Sequence, residues 1–402
     1  MKKRLNKLIN NLKNKFLRFR PPVMIIILVA GLVGFLFAAN RIKILNFRLA
    51  DFSQKIIERE NRLADLGKEL TELKSQDQLL VNKQLKEEIA NIQKTYDRAV
   101  DSYEKLLDLQ NKTKNTTKFE ELFALALKQL SQKNYSSAGA TLTGLDQKII
   151  EESIKIANTF KIPDTLPQSN TPPSGGYQRQ KVLLDNNSFM VDIVSADLNS
   201  TKVIVDTASD SDCSDNCPVL ALADYVAKNG AFAGVNGSYF CPATYPQCAS
   251  KKNSFDTLLM NKNKKYFNSD NNVYSTVPAA IFGGNWARFV TQSLEWGRDT
   301  GVDAVIANYP LLVFNGQINF SGSNDPKQEA KGNRSFLGAT GNIVYLGVVH
   351  NATVAESAKV LHALGLNHAL NLDNGGSTAF WYNGYKVGPG RNLPNVVLLV
   401  KK

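Results

Sequence analysis

Residues 23–39, VMIIILVAGLVGFLFAA, form an unbroken apolar run that follows Pro21-Pro22 and meets no charge before Arg41. Seventeen such residues lie at the short end of what crosses a bilayer as a helix, about 17 to 25. The first 48 residues hold eleven Lys or Arg and no acid, and eight of the eleven precede the run. By the positive-inside rule, residues 1–20 are a basic cytoplasmic tail and the chain beyond residue 40 lies outside. A cleaved signal peptide is the competing reading, but Phe37 stands where an A-x-A cleavage site needs a small residue. Residues 22–40 are therefore read as an uncleaved signal anchor, giving a single-pass protein of the cell membrane with an extracytoplasmic C-terminal domain. Removing those eleven charges from the net +12 leaves about +1 for everything after Arg48. The basic balance is local, and no nucleic-acid partner is expected.

Past the membrane, Leu45, Leu49, Phe52, Ile56, Leu63, Leu66, Leu70, Leu73 and Leu80 recur at spacings of three, four and seven, with Glu, Lys and Arg between them. After a slip near Leu85 the pattern resumes through Ile89, Ile92, Tyr96, Ala99, Tyr103 and Leu106. This seam over 41–113 reads as a coiled-coil stalk with a stutter, and as a contact through which the chain forms a homo-oligomer. A long helix folded back on itself is the alternative. Residues 117–160 predict a helical hairpin, and the four prolines and terminal Gly-Gly of 161–176 predict a linker. All four cysteines fall in one short segment, as CSDNC and CPATYPQC. In an oxidising compartment the simplest pairing is Cys213 with Cys217 and Cys241 with Cys248. Four-thiolate zinc ligation fits the spacing poorly.

From residue 177 onward, short β-branched runs alternate with Gly and Asn turns, which predicts an α+β domain over 177–402 with a mixed or antiparallel sheet and a few helices. Helices are expected at 218–229 and 353–365. In the second, Thr353 and Glu356 form a capping box and Gly365 marks the end. Three polar, glycine-bearing strand ends carry candidate chemistry: GVNGSYF at 234–240, GNRSFLGAT at 332–340, and NLDNGGST at 371–378. Alternation places Asn371 and Asp373 on one face of a strand and Leu370 and Leu372 on the other. Together the three segments supply a guanidinium, a carboxylate, amides, hydroxyls and backbone N–H groups, a mixture suited to an anionic, hydroxyl-rich ligand.

The order Asn236-Gly237-Ser238-Tyr239-Phe240, Pro310 to Gly316, Arg334-Ser335-Phe336-Leu337-Gly338, Asn371 to Thr378 and Asn383-Gly384 resembles the phosphodiester glycosidase family. The resemblance covers most of 177–402 and none of the first 176 residues. It implies hydrolysis at an anomeric carbon whose leaving group is a phosphate ester, so the site mainly stabilises developing charge. On that resemblance Arg334 clamps the phosphate with Gly375, Gly376, Ser377 and Thr378. Asp373 orients water or sugar hydroxyls, or holds a divalent cation, while Asn236 braces it, and Gly237, Ser335 and Asn371 line the substrate. No cofactor beyond that possible divalent cation is implied, and the partner is a glycan or sugar-phosphate substrate. The chain departs from the family pattern at Asn374, which stands for a glycine and is compatible with positive φ. It departs again at Ser335, which stands for Thr, at Gly332-Asn333, where a His often precedes the Arg, and at His350-Asn351, in place of Asp-Gly. His362 and His368 read as structural rather than metal-binding. Trp381, Tyr382 and Tyr385 are candidates for stacking on a sugar, although strand aromatics are more often core. Asp206, Asp256 and Asp303 are spare carboxylates. The alternatives to an enzyme are a non-catalytic glycan-binding module on the same fold, and an envelope protein acting through its coiled coil.

Overall fold

The computed structural model describes residues 21–75, 77–270, 276–297 and 301–402; the basic segment 1–20 lies outside the described residues. The chain divides into two compact units, one ending at Ala90 and one starting at Asn91.

In the first unit, helix α1 runs over Pro21–Ser75 and is long and apolar enough to cross a membrane. Helix α2, Asp77–Gln110, begins there. The seam residues Leu45, Leu49, Leu63, Leu66, Leu70 and Leu73 are all exposed.

In the second unit, the end of α2 packs with α3 (Thr117–Ser131) and α4 (Tyr135–Thr159). Ala99, Leu106 and Leu109 join Phe119, Ala126, Leu142, Leu145 and Ile149 in one core, and Tyr103 stacks on Phe123 with ring centroids 5.3 Å apart. The last turns of the predicted stalk are thus used within the chain, because the hairpin supplies the apolar face that they need. Residues 161–175 have no helix, yet they are not a free linker. Asn170 exchanges hydrogen bonds with the backbone of Leu183 at 2.9 Å in both directions, and Gln180 donates to the carbonyls of Ser169 and Thr171.

Three antiparallel sheets follow. The largest has the order β1-β2-β13-β12-β14-β10-β11, from β1 (Gly176–Leu184), β2 (Asn187–Asp197), β10 (Leu311–Phe314), β11 (Gln317–Ile318), β12 (Gly332–Thr340), β13 (Ile343–Ala352) and β14 (His368–Asn374). A second, β16-β15-β4-β17-β3, uses β3 (Thr201–Thr207), β4 (Ala233–Asn236), β15 (Phe380–Tyr382), β16 (Tyr385–Val387) and β17 (Asn395–Lys401). The third, β6-β5-β9-β7-β8, uses β5 (Leu259–Met260), β6 (Tyr266–Phe267), β7 (Ala279–Gly283), β8 (Trp286–Val290) and β9 (Ala304–Ala307). The inner faces of all three meet in one core, with Val194, Leu346, Leu370 and Leu372 from the first, Val235 and Val397 from the second, and Phe282 and Ile306 from the third. Outside, α7 (Val354–Ala363) covers the large sheet through Val354 and Leu361, and α5 (Leu222–Asn229) covers the second through Leu222 and Tyr225. Short helix α6 is Pro326–Glu329.

This is the expected α+β domain. The capping box at Thr353 and Glu356 forms, and Gly365 adopts φ +79° just past the helix end. Helix α5 begins four residues later than predicted because Pro218 and its neighbours pair outward, with Leu220 bonding Leu393. Both local disulfides are present, Cys213–Cys217 and Cys241–Cys248.

Candidate active site

Strand β4 is four residues long and wholly buried, and Asn236 at its end has no exposed surface. A buried amide must spend its donors and acceptor, and Asn236 ties two sheets together in doing so. Its Nδ2 donates to the carbonyl of Asp373 at 2.7 Å, while its Oδ1 accepts from the hydroxyl of Ser335 at 2.7 Å and from the N–H of Ala379 at 3.1 Å. The bend that follows requires glycine: a Cβ on Gly237 would lie 1.8 Å from Asn395 Oδ1 and 2.7 Å from its carbonyl oxygen. Gly237 is further pinned by accepting from the N–H of Asp373 at 2.9 Å.

Across the seam, β12 and β14 pair with Arg334 opposite Asn374 and Phe336 opposite Asn371, so β14 carries one extra residue here. Such a bulge re-aims side chains next to it, and Asp373 lies within it. Its carboxylate is nearly buried, accepts from the N–H of Asn374 at 2.8 Å, and forms no ion pair among the described residues. Burial pushes its pKa up to about 6; the nearby Ser377 hydroxyl, the Asn374 N–H and the charge of Arg391 oppose this, and Asp108 adds to it. The fully buried Ser377 hydroxyl faces this carboxylate without a formed hydrogen bond.

Asn374 is not at positive φ: its φ is −129°, and the left-handed position is Gly375 at +63°. Its side chain replaces a glycine with a cross-strand tie, accepting from Ser335 N–H at 3.0 Å and donating to Asn371 Oδ1 at 3.2 Å. Asn371 Nδ2 donates to the hydroxyl of Tyr239 at 2.6 Å. Of the asparagines at which the chain departs from the family pattern, the one at positive φ is Asn351, at +49°.

Arg334 is buried, and burial lowers its pKa. Its Nε donates to the carbonyl of Ala352 at 2.9 Å, and Nη2 donates to those of Lys327, Gln328 and Ala330. No carboxylate pairs with it among the described residues, and Nη1 has no hydrogen bond there. Asn236, Ser335, Asn371 and Asp373 are therefore brought to one seam between the sheets, with Gly375–Thr378 continuing from it, whereas Arg334 pairs with Asn374 through its backbone and sends its guanidinium to the carbonyls of Lys327, Gln328, Ala330 and Ala352.

Other expected residues go elsewhere. His350 is buried and binds Asp192 Oδ2 through Nε2 at 2.6 Å. Asp192 also accepts two bonds from Arg179 and one from Tyr177. Burial opposes ionisation of Asp192, but these donors hold its carboxyl below the usual range. Beside His350 is a small pocket that also involves Phe160, Ser188, Lys331 and Asn351. Trp381 packs edge-on against Tyr385 and Tyr382 stacks on Tyr177, so these aromatics serve cores. Tyr309 is 46% exposed, with its ring centroid 5.0 Å from that of Tyr239. Asp206 is held by Lys262 and Lys228, and Asp303 by Lys202, all away from the seam. His368 stacks on Phe289. Among the described residues no three His, Cys, Asp or Glu side chains converge to hold a metal.

Four positioning residues escaped the sequence reading. Asn395 Oδ1 accepts from Ser238 N–H, and Asn308 accepts from Tyr239 N–H and donates to the carbonyl of Asn371. Arg391 and Tyr245 flank the glycine turn. Their only sequence signal is a polar or aromatic residue within two positions of a proline or glycine.

An antiparallel α+β domain with an amide-rich seam and one unpaired carboxylate is the class that the fold and site define. Residues 229–400 match the sequence model of the phosphodiester glycosidase family, and this region is a phosphodiester glycosidase-like domain. The chain is also similar in structure to the zebrafish N-acetylglucosamine-1-phosphodiester alpha-N-acetylglucosaminidase catalytic domain, at 15% identity and a TM-score of 0.45, over 59% of this chain and 87% of that one. A hypothetical protein from Synechocystis is similar at 12% identity and a TM-score of 0.40, over 56% of this chain. The match spans 62% of the Synechocystis protein's length. No curated protein matches the sequence.

Proposed function

We propose that this chain is a membrane-anchored, extracytoplasmic phosphodiester glycosidase that cleaves a sugar-1-phosphate diester in a glycan or envelope polymer. The observation that carries the reading is Asp373, a nearly buried carboxylate without an ion pair, set in a bulge against Asn236 and the glycine turn. With its pKa pushed up to about 6, it is ionised at neutral pH yet close to the range useful for proton transfer. Asp373 orients the attacking water or a sugar hydroxyl. The departing phosphate is met by the Nη1 edge of Arg334, the N–H groups of Gly375 and Gly376, and the hydroxyls of Ser377 and Thr378. Phosphate leaves readily, so charge stabilisation matters more than a strong acid. Helix α1 anchors the domain. Its exposed leucine seam pairs in parallel with a second copy, which aligns Lys55 with the partner's Glu60 and Glu69 with the partner's Lys74 at flanking positions.

The test uses the full-length chain in detergent with a synthetic sugar-1-phosphodiester. Release of the free sugar, lost in Asp373→Asn, is the expected result; wild-type protein that binds but does not turn over refutes the enzyme. A non-catalytic glycan-binding module is the second reading. It is favoured by His350, which stands where the family has Asp and is committed to Asp192.

A further inference from the structure

Outside the family-like motifs, one more cation stands against the glycine turn. The backbone N–H of Arg391 donates to the carbonyl of Gly376 at 2.9 Å, and its Nη2 lies 2.5 Å from where a Cβ on Gly376 would be. The guanidinium is half-buried and rests over the ring of Tyr245, 5.3 Å from the centroid. The hydroxyl of Tyr245 in turn donates to Asp108 near the end of α2. Asn111, one turn further on, reaches the same glycine, with Nδ2 2.7 Å from that Cβ position.

Arg391 forms no ion pair within 4.0 Å among the described residues. The acids that face it are Asp373 and Asp108, and neither is bonded to it. A half-buried guanidinium held by an aromatic face and its own backbone, with no carboxylate spent on it, is poised for an exogenous anion. A second observation points the same way. The Ser377 hydroxyl, wholly buried beside Asp373 in the same turn, has no hydrogen-bond partner, and such a group is costly unless something bonds it.

We propose that Arg391 is a second phosphate-binding residue of this site, meeting the substrate's phosphodiester beside Gly376 while Arg334 meets it beside Asn374. Tyr245 and Asp108 are positioning residues that hold Arg391 in place, so α2 completes the site and the sheet domain alone lacks part of it. This rests on the phosphodiester glycosidase reading and adds residues that the motifs do not contain.

The experiment compares wild type, Arg391→Ala, Arg391→Lys and Tyr245→Phe as full-length protein in detergent. It measures calorimetric binding of glucose 1-phosphate and of glucose, together with turnover of a glucose-1-phosphodiester. Arg391→Ala is expected to weaken glucose 1-phosphate binding by about 10- to 100-fold, the worth of a charge-assisted contact. KM should rise more than kcat falls, and glucose binding should stay unchanged. Arg391→Lys recovers part of the loss. Tyr245→Phe keeps the ring but frees it from Asp108, and is expected to raise KM by about three- to tenfold. If Arg391→Ala misfolds, Arg391→Lys with a wild-type Tm carries the comparison. An active wild type whose Arg391→Ala binds glucose 1-phosphate equally well overturns the role of Arg391 alone. A wild type that neither binds nor turns over overturns the glycosidase reading as well.

Discussion

Replacing Asp373 by Asn separates the cost of this carboxylate from its use. In the folded chain its pKa is pushed up to about 6, against an ordinary 3.8, chiefly by burial. For an acid raised in this way the folded state holds its proton more tightly than the unfolded state. Ionisation therefore opposes folding: the penalty is absent below about pH 4, grows between about 4 and 6, and is complete above. The gap corresponds to about 3 kcal/mol at 1.36 kcal/mol per pH unit. The amide keeps an oxygen to accept the 2.8 Å bond from Asn374 N–H but loses the attraction to Arg391. A net gain of about 1–3 kcal/mol at pH 7.5 is expected, or roughly 3–10 °C in Tm for a domain of this size. Thermal unfolding of wild type and Asp373→Asn across pH 4 to 8 tests this. The curves should converge near pH 4, separate between about pH 4 and 6 and stay a constant distance apart above, and sugar-1-phosphodiester turnover should vanish in the variant. A variant that is less stable than wild type at pH 7.5, or a difference independent of pH, refutes the reasoning.

Gly237→Ala is expected to cost more than about 2 kcal/mol, since its Cβ meets both the side chain and the backbone of Asn395 and cannot be relieved by a rotamer. Denaturant midpoints measure this, and an unchanged midpoint contradicts the geometry. Asp192→Asn leaves Arg179 and His350 without their carboxylate. Because Arg179 is about a third exposed, a loss of about 2 kcal/mol is expected. The stability that Asp192 supplies is present above pH 3.8 and is lost as pH falls through its depressed pKa, so the two proteins should converge only in strong acid.

Local signals were readable where the chain itself makes the contact. Thr353 and Glu356 meet across one helical turn, the cysteines pair over four and seven residues, and alternation does send Leu370 and Leu372 to the core. NLDNGGST stood out in the sequence because two amides, a carboxylate and two hydroxyls around glycines are an unusual load for a buried strand end. Its partners were not. Asn395 reaches Ser238 across 157 residues and His350 reaches Asp192 across 158, and no period in the sequence registers such a pairing. The same limit explains the aromatics: Trp381 and Tyr382 alternate as any strand pair does, and only the positions of Tyr385 and Tyr177 decide that they pack rather than bind.

Strand β4 lies between β15 and β17, and this sets a timetable for the nascent chain. Asn236 emerges long before Ala379 and Asn395 exist to receive its corner, a wait of about 8 to 30 s at ordinary translation rates for the 157-residue gap. During that interval an apolar, unpaired strand must be kept from other chains, whereas the neighbouring cysteines need no distant partner and can close at once. The corner around Asn236 is thus among the last parts of the molecule to assemble, and a chain cut short before β17 cannot form it.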